Sequence, residues 1–285
     1  KNIKILKSFK YVSKFYNINE KQKFNQKYDL TLNFSPGLKS FFRCLFLKSS
    51  KKANLIFTSR YKNVNYSKFL IRFLSNIFFN KTLVINRQKR FNNKKTINQT
   101  QIMFELLNIC DVKYEKQILI EKHFDKIKEI KSSKKICLLH LSSKWINNYY
   151  SEDDFLNLIN LLELKFNLIL TTDQTTTNKF SKIFKIFNKI KNNEYDNFNQ
   201  IFKTTIFENM DFEKWTQLIL CSNLVITPEC GCTHMAALCK IPSKIIYDAD
   251  NKPNMISSEY APWSKNYEKY IFNQENLNQL IIKNL

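Results

Sequence analysis

Glycine and proline are scarce in this chain, whose 285 residues include only two glycines and five prolines. Collagen-like repeats and flexible low-complexity segments rich in these residues are therefore excluded. Long apolar runs are also missing: no segment reaches the roughly 18 residues needed to cross a bilayer, so no transmembrane helix is predicted. The first ten residues, KNIKILKSFK, lack the extended apolar core of a secretory signal. With 44% hydrophobic and 25% charged residues, the composition is that of a globular protein.

Acidic residues are outnumbered: 24 aspartates and glutamates stand against 46 lysines and arginines, which gives a formal net charge of +22. Such a balance is compatible with nucleic acid, an anionic membrane surface or phosphorylated substrates. The lysines are spread along the whole chain, with no arginine-rich tract and no RNA-binding signature. We therefore expect attraction to phosphates or to an anionic membrane, and no nucleic-acid partner.

The cysteines show no disulfide framework. There are seven of them, an odd number, and their spacing follows no recognisable pattern. Without a secretory signal, this usage indicates reduced thiols in a cytoplasmic protein.

Short apolar runs alternate with segments of helical periodicity, which is typical of parallel sheets covered by helices on both faces. Ser151 and Asp154 are spaced as a capping box, and Asp211 is a good N-cap. The pattern predicts helices over 66–79, 99–109, 152–164, 179–191 and 211–221. It predicts strands at 2–6, 28–34, 53–57, 135–141, 167–172, 223–227 and 244–248.

A polar, charged segment, 121–135, precedes a new buried strand and is interpreted as a linker. We therefore predict an α/β protein with two domains, 1–130 and 131–285, each built around a parallel sheet.

The segment 224–242, LVITPECGCTHMAALCKIP, is predicted to form a strand, a turn and a helix. Pro228 ends the strand and Gly231 allows a tight turn. In an open α/β sheet, ligands bind at the carboxyl ends of strands, where helix N-termini present unpaired N–H groups. Residues 231–234 would then offer backbone donors suited to a diphosphate, with a hydroxyl from Thr233 and a side-chain donor from His234.

Three other interpretations of this segment stay open. Cys230, Cys232, His234 and Cys239 would be the ligands of a zinc site, although C-x-C-x-H-x4-C matches no common zinc-finger spacing. A nucleophilic thiol at Cys230 or Cys232 is favoured at a helix N-terminus, but the sequence identifies no second histidine as its base. The cysteines would otherwise be small packing residues.

The segment also resembles the signature of glycosyltransferase family 9, the lipopolysaccharide heptosyltransferases. The matching residues are Gly231, His234, Met235, Ala236, Ala237 and Pro242. Two positions depart from the signature: Glu229 stands where the family has aspartate, and Cys230 replaces a serine or threonine. After the following strand the chain has DADNKP, where the family commonly has Gly-Pro-Thr/Ser.

The resemblance extends to other parts of the chain. ICLLHLSSKW followed by SEDDFLNLINLL is similar to the first strand, phosphate loop and helix of the family's donor domain, which places Ser142, Ser143 and Lys144 at the same crevice. Two hydroxyls and an ammonium beside a helix N-terminus suit a diphosphate. Lys144 would substitute for a lysine that many members have where this chain has Asn148-Tyr149-Tyr150. Residues 28–60 are similar to a strand, helix and strand of the acceptor side.

The resemblance implies the GT-B architecture, with two Rossmann-like domains facing a cleft. It implies inverting transfer of a sugar, a heptose, from an ADP-sugar donor to a lipopolysaccharide core or related glycolipid, without a cofactor or a metal. The donor site would comprise Ser142, Ser143, Lys144, Glu229, Cys230, Gly231, Cys232, Thr233 and His234.

The family's general-base aspartate, in a Gly-Asp loop, has no match in the first twenty residues, and we expect it upstream of Lys1. The resemblance also implies a cytoplasmic location with peripheral contact to the anionic inner membrane. The alternatives are a non-catalytic nucleotide-sugar or glycan-binding relic of the fold and a basic nucleic-acid-binding protein.

Overall fold

The computed structural model describes residues 26–35, 37–57, 66–93, 98–113, 126, 128–146, 150–172, 176, 179–248, 253–262, 264–283 and 285. The described residues form two compact units, one between 26 and 113 together with 258–260, the other between 126 and 257 together with 261–285. The predicted strand at 2–6, the region of the expected Gly-Asp loop, Asn148 and Tyr149 lie outside the described residues.

The N-terminal unit is a three-stranded parallel sheet in the order β1-β2-β3. Alternate side chains of β2 point to opposite faces of the sheet: Ile56 packs with Phe41, Ile71 and Phe79 on one face, and Leu55 packs with residues of the last helix on the other. The strands are β1 (Tyr28–Asn33), β2 (Ser49–Phe57) and β3 (Lys81–Ile85). The helices are α1 (Leu38–Phe46), α2 (Tyr66–Phe78), α3 (Arg87–Asn92) and α4 (Gln99–Ile109).

The C-terminal unit is built on a seven-stranded parallel sheet in the order β12-β11-β10-β5-β6-β9-β7, with a separate two-stranded sheet of β4 and β8. The chain runs outward from β5 in one direction, then returns to pair β10 on the other side of β5, so the strand order reverses between these two strands. The strands are β4 (Lys131–Ser132), β5 (Lys135–Leu141), β6 (Phe166–Thr172), β7 (Asn188–Lys191), β8 (Gln200–Ile201), β9 (Thr205–Glu208), β10 (Leu224–Pro228), β11 (Ser243–Tyr247) and β12 (Tyr267–Ile271). The helices are α5 (Glu152–Glu163), α6 (Ser181–Ile186), α7 (Phe212–Leu220), α8 (Gly231–Leu238), α9 (Pro253–Glu259) and α10 (Leu277–Ile282).

Both faces of this sheet are covered. Cys137, Leu139 and Leu141 of β5 pack with α5, α6 and α10 on one face, and Ile136 and Leu138 pack with α7 and α8 on the other. The continuous apolar strands of the sequence therefore reflect burial on two sides.

The unit also includes the residues just before β4. Lys128 donates to the carbonyl oxygen of Tyr195, 2.6 Å away, and Ile130 lies in the α7–α8 core. These residues precede the predicted domain boundary at 130/131, but their contacts are with the C-terminal unit.

Several predicted elements are confirmed. The strand 135–141 and the helix 99–109 have the predicted bounds. Ser151 and Asp154 form the capping box of α5, and the Asp211 carboxylate accepts from the Lys214 N–H at the start of α7.

The predicted helix 179–191 is wrong in its second half. The helix α6 ends at Ile186, and 188–191 form the edge strand β7. Ile183 packs in the core on the α5 face, whereas Ile190 packs against the core on the opposite face. One straight helix cannot deliver these two side chains to opposite faces of a sheet, so the chain leaves the helix between them.

The longest helix in the described part of the chain, α2, has 13 residues. Within these residues, no helix has both the length and the apolar character needed to span a membrane.

Candidate functional site

The strand reversal brings two loops together. β5 and β10 are parallel neighbours, with Leu139 opposite Ile226, so both strands end at the same edge of the sheet. The loop after β5 contains Ser142, Ser143 and Lys144, and the turn after β10 leads directly into α8. A crevice at such a switch point is the usual ligand position in open α/β sheets.

Lys144 and Glu229 join the two loops. The Lys144 ammonium donates to the backbone carbonyl oxygen of Glu229 and to its carboxylate, with Nζ 2.6 Å from Oε2. The Lys144 side chain is 45% exposed and that of Glu229 is 18% exposed. A positive charge is therefore fixed at the start of α8 and stays accessible from solvent.

Trp145 anchors the loop after β5, residues 142–144, to the core. This side chain is fully buried, and its indole N–H donates to the carbonyl oxygen of His140 at 2.9 Å. The Trp145 backbone N–H closes a turn on the Ser142 carbonyl, and the Lys144 backbone N–H lies 3.3 Å from the Ser142 hydroxyl oxygen. Ser142 and Ser143 are both half-buried on this turn, so the loop has a defined shape.

Gly231 opens α8 without a left-handed backbone angle. The turn therefore forms without using the conformational freedom of glycine. A Cβ atom built at Gly231 would have no neighbour within 4 Å. Its missing side chain leaves open space in front of the helix N-terminus, where backbone N–H groups are available to an anion.

Cys232 and Thr233 face the protein interior. Thr233 is fully buried, and its hydroxyl lies 3.4 Å from the Cys230 N–H donor nitrogen and 3.5 Å from the Pro228 carbonyl oxygen. Cys232 packs in the core beneath α8. The side chains of these two predicted donor-site residues hold the turn, and the Thr233 N–H donates to the Cys230 carbonyl oxygen at 3.2 Å.

His140 is a residue of this site that the sequence did not single out. It is the second-last residue of β5, half-buried, with Nδ1 3.0 Å from the Thr171 hydroxyl oxygen. Burial alone would raise the pKa of the Cys230 thiol, but hydrogen bonds from His140, Thr227 and the Cys232 backbone lower it overall. The sequence did not identify a second histidine for this cysteine, and the pairing of β5 with β10 supplies one.

His234 lies on the first turn of α8 and is half-buried. Burial lowers the pKa of its imidazole, and the nearby Glu229 carboxylate opposes that shift only in part. The ring is therefore neutral at neutral pH and offers one N–H donor.

Within the described ranges, no arrangement of side chains supports the zinc interpretation. Cys232 and Cys239 are buried in the same apolar core, and no three histidine, cysteine or acidic side chains among the residues described converge as metal ligands. In this geometry Cys232 and Cys239 are packing residues.

A surface cavity of about 490 Å³ lies at the opposite edge of the same sheet, where the strands begin. Its polar groups bind one another: the Thr204 hydroxyl donates to the Glu163 carboxylate, and the Asn167 amide donates to the Ile201 carbonyl at 3.0 Å. Because these groups are already paired within the protein, we assign the cavity no ligand.

A comparison with protein families finds one match over most of the chain. The model of glycosyltransferase family 9 (heptosyltransferase) matches residues 20–282. No curated protein sequence matches the chain.

Solved structures of heptosyltransferases and of a glycosyl transferase family 9 protein have a similar fold. The chain is similar to Escherichia coli heptosyltransferase WaaC with ADP, with a TM-score of 0.62 and 13% identity over 91% of this chain and 74% of that one. The glycosyl transferase family 9 protein from Veillonella parvula matches with a TM-score of 0.58 and 11% identity, covering 90% and 68% of the two chains. E. coli ADP-heptose lps heptosyltransferase II matches with a TM-score of 0.54 and 11% identity, covering 90% and 74%.

Proposed function

This chain belongs to glycosyltransferase family 9, and from that premise we propose that it moves a heptose from an ADP-sugar to a lipopolysaccharide core acceptor with inversion at the anomeric carbon. Its α/β fold is that of the GT-B glycosyltransferases. Membership of the family makes it a glycosyltransferase; the donor, the acceptor and the stereochemistry are our proposal.

The Lys144–Glu229 pair at the β5–β10 switch point is the observation that supports it most. It holds an ammonium beside the N-terminus of α8, where a diphosphate would meet both a full positive charge and backbone N–H donors. The similar heptosyltransferase WaaC from Escherichia coli was solved with ADP, which favours an adenosine diphosphate sugar as the donor.

The reaction needs two things from the protein. An acceptor hydroxyl attacks the anomeric carbon and loses its proton to a base, while the bond from that carbon to the diphosphate oxygen breaks. Charge develops on the departing diphosphate, and donors fixed in advance stabilise it more than mobile water does. We assign this second task to Lys144, the hydroxyls of Ser142 and Ser143, and backbone N–H groups at the start of α8.

Glu229 would contact the sugar end of the donor, and His234 would contact the diphosphate. The Glu229 carboxylate is oriented by Lys144 and can accept a hydrogen bond from a sugar hydroxyl. A neutral His234 can donate one without adding charge. Cys230 occupies the N-cap of α8, where the family has a hydroxyl residue, so we propose that it shapes the turn.

We propose that donor binding requires no metal or other cofactor, because an ammonium and a helix N-terminus together supply the positive charge that a metal would provide. The expected partner is a lipopolysaccharide core or related glycolipid, reached from the cytoplasmic face of the inner membrane. The formal charge of +22 supports contact with an anionic leaflet and does not require a nucleic-acid partner.

Ligand-induced stabilisation tests the donor assignment. ADP at about 100 times its Kd should add about 2.7 kcal/mol to the free energy of unfolding and raise Tm by several degrees, because it binds only the folded state. UDP should give a smaller shift, and a chelator should leave the ADP shift unchanged.

His234→Ala should remove most of the ADP shift. Lys240→Asn, in the exposed turn that follows the same helix, should keep it and serves as the matched control. A full ADP shift in His234→Ala would show that this turn is not the donor site.

A further inference from the structure

The outer faces of α1 and α2 carry many exposed apolar side chains. Leu38, Phe42 and Phe46 are spaced four residues apart on α1, as are Phe69, Phe73 and Ile77 on α2. This spacing aligns each set along one side of its helix. All six side chains are more than one-third exposed, and Phe46 and Phe69 are 80% and 71% exposed.

These side chains are not needed by the core. Phe41 and Ile71 already fill the inner faces of the two helices against β2, and Phe41 packs on Phe79 with ring centroids 5.2 Å apart. Leu70 and Phe78 extend the exposed set, so that eight of the eleven large exposed apolar side chains among the described residues belong to these two helices. Large contiguous apolar surface of this kind marks an interaction site.

The charge around this surface has one sign. From residue 30 to residue 104 the sequence contains fifteen lysines and arginines and not one aspartate or glutamate. Arg72 lies on α2 between Phe69 and Phe73, Lys39 lies on α1 beside Leu38, and Lys48 follows α1; all three are exposed.

We propose that the outer faces of α1 and α2, hereafter the α1–α2 face, dock on an anionic lipid bilayer surface. Helices with an apolar stripe and basic flanks lie in the plane of such an interface, with aromatic side chains inserted at headgroup depth and cations against lipid phosphates. The inference deepens the membrane contact of the proposed function and rests on it for the biological role, but the surface is defined without reference to the donor site.

The charge distinguishes a membrane from a second copy of the chain. A symmetric dimer through this face would set lysines and arginines of one copy against those of the other, which is unfavourable at an interface. An anionic leaflet attracts each of them, by about 1 kcal/mol for each basic residue near the surface.

Co-sedimentation with vesicles tests the proposal on the full chain. The wild type should bind vesicles of phosphatidylethanolamine and phosphatidylglycerol, and bind phosphatidylcholine vesicles far more weakly. Phe69→Ser/Phe73→Ser should weaken binding about tenfold to a hundredfold, as partial burial of two large apolar side chains implies. Lys48→Gln/Arg72→Gln should weaken it and reduce its dependence on salt.

Leu164→Ser/Phe202→Ser is the matched control, because these side chains are equally exposed but belong to the other unit. It should bind vesicles as the wild type does. Each variant should retain the ADP-induced Tm shift, so that failure of vesicle binding and failure of the donor assignment are separate results.

Three results would overturn the proposal. The first is an absence of wild-type binding to the anionic vesicles, and the second is equal binding by Phe69→Ser/Phe73→Ser. The third is a wild-type dimer in sedimentation that these two substitutions dissociate while vesicle binding is unchanged, which would assign the face to a second copy.

Discussion

At the scale of single residues, Lys144 and Glu229 matter for charge more than for stability. A partly exposed ion pair contributes no more than about 1 kcal/mol to folding. Without Lys144, however, the Glu229 carboxylate would stand unpaired beside the position proposed for a diphosphate. We therefore expect the effects of substituting Lys144 and Glu229 on ADP affinity to be coupled, which a simple loss of contacts would not produce.

Lys144→Met should weaken ADP binding at least about tenfold, because it removes a cation and leaves a carboxylate near the diphosphate. Glu229→Gln alone should change ADP affinity little. The double variant should bind more tightly than Lys144→Met, and titration calorimetry of the four proteins measures the coupling. Lys134→Met, at the opposite end of β5, is the control. Strictly additive effects would contradict the proposed repulsion.

Cys230 should be the fastest thiol to react among the cysteines of the C-terminal unit. Its pKa is lowered by its hydrogen bonds despite burial, whereas burial raises the pKa of Cys137, Cys232 and Cys239. At neutral pH more of Cys230 is thiolate, the reactive form. Iodoacetamide followed by peptide mass spectrometry should therefore label Cys230 first, and ADP should slow the labelling. Cys230→Ser should lose this fast phase; a fast phase that persists in it would place the reactive thiol elsewhere.

At the scale of elements, short stretches of sequence are enough to predict helix caps and strand ends that depend only on neighbouring residues. The α5 capping box joins Ser151 and Asp154, three residues apart, and β5 is an apolar run with clear ends. Both are visible in a window of a dozen residues. The boundary between α6 and β7 is different, because it depends on which face of the sheet Ile183 and Ile190 reach. That choice is made by tertiary packing, so the helical spacing of these residues predicts the wrong structure for 188–191.

The N-cap of α7 offers a test at this scale. The Asp211 carboxylate oxygen lies 2.9 Å from the Lys214 nitrogen that donates to it. Asp211→Ala should lower the free energy of unfolding by about 1 kcal/mol, measured by urea denaturation, because a helix N–H loses its partner. Asp211→Asn should restore most of the loss, since asparagine caps equally well. Equal stability of the alanine variant and the wild type would show that the cap contributes nothing.

At the scale of the whole molecule, the candidate site combines residues that the sequence keeps 85 positions apart. The turn at 228–234 could be recognised from its contiguous letters, and the loop at 142–144 from its place after a strand. Their contact, and that of His140 with Cys230, follows only from β10 pairing with β5 rather than with its predecessor β9. Strand order depends on the packing of the complete sheet, which no local window reports.

The positive charge of the molecule is concentrated in a part of the N-terminal unit. The acid-free stretch from 30 to 104 is confined to the N-terminal unit, and the proposed donor site lies in the other. The net charge of +22 is thus partly a local feature of the α1–α2 face and its surroundings. Binding to lipid and binding to ADP should accordingly respond to different substitutions.

Sugar transfer itself is the most direct test of the central claim. The protein is incubated with ADP-heptose and a lipopolysaccharide core lacking heptose, and the acceptor is examined by mass spectrometry. We predict an acceptor heavier by one heptose residue, release of an equal amount of ADP, and loss of both in Lys144→Met. An unchanged acceptor together with normal ADP binding would contradict the proposed heptose transfer. It would favour the alternative, a non-catalytic protein of this fold that binds nucleotide sugars.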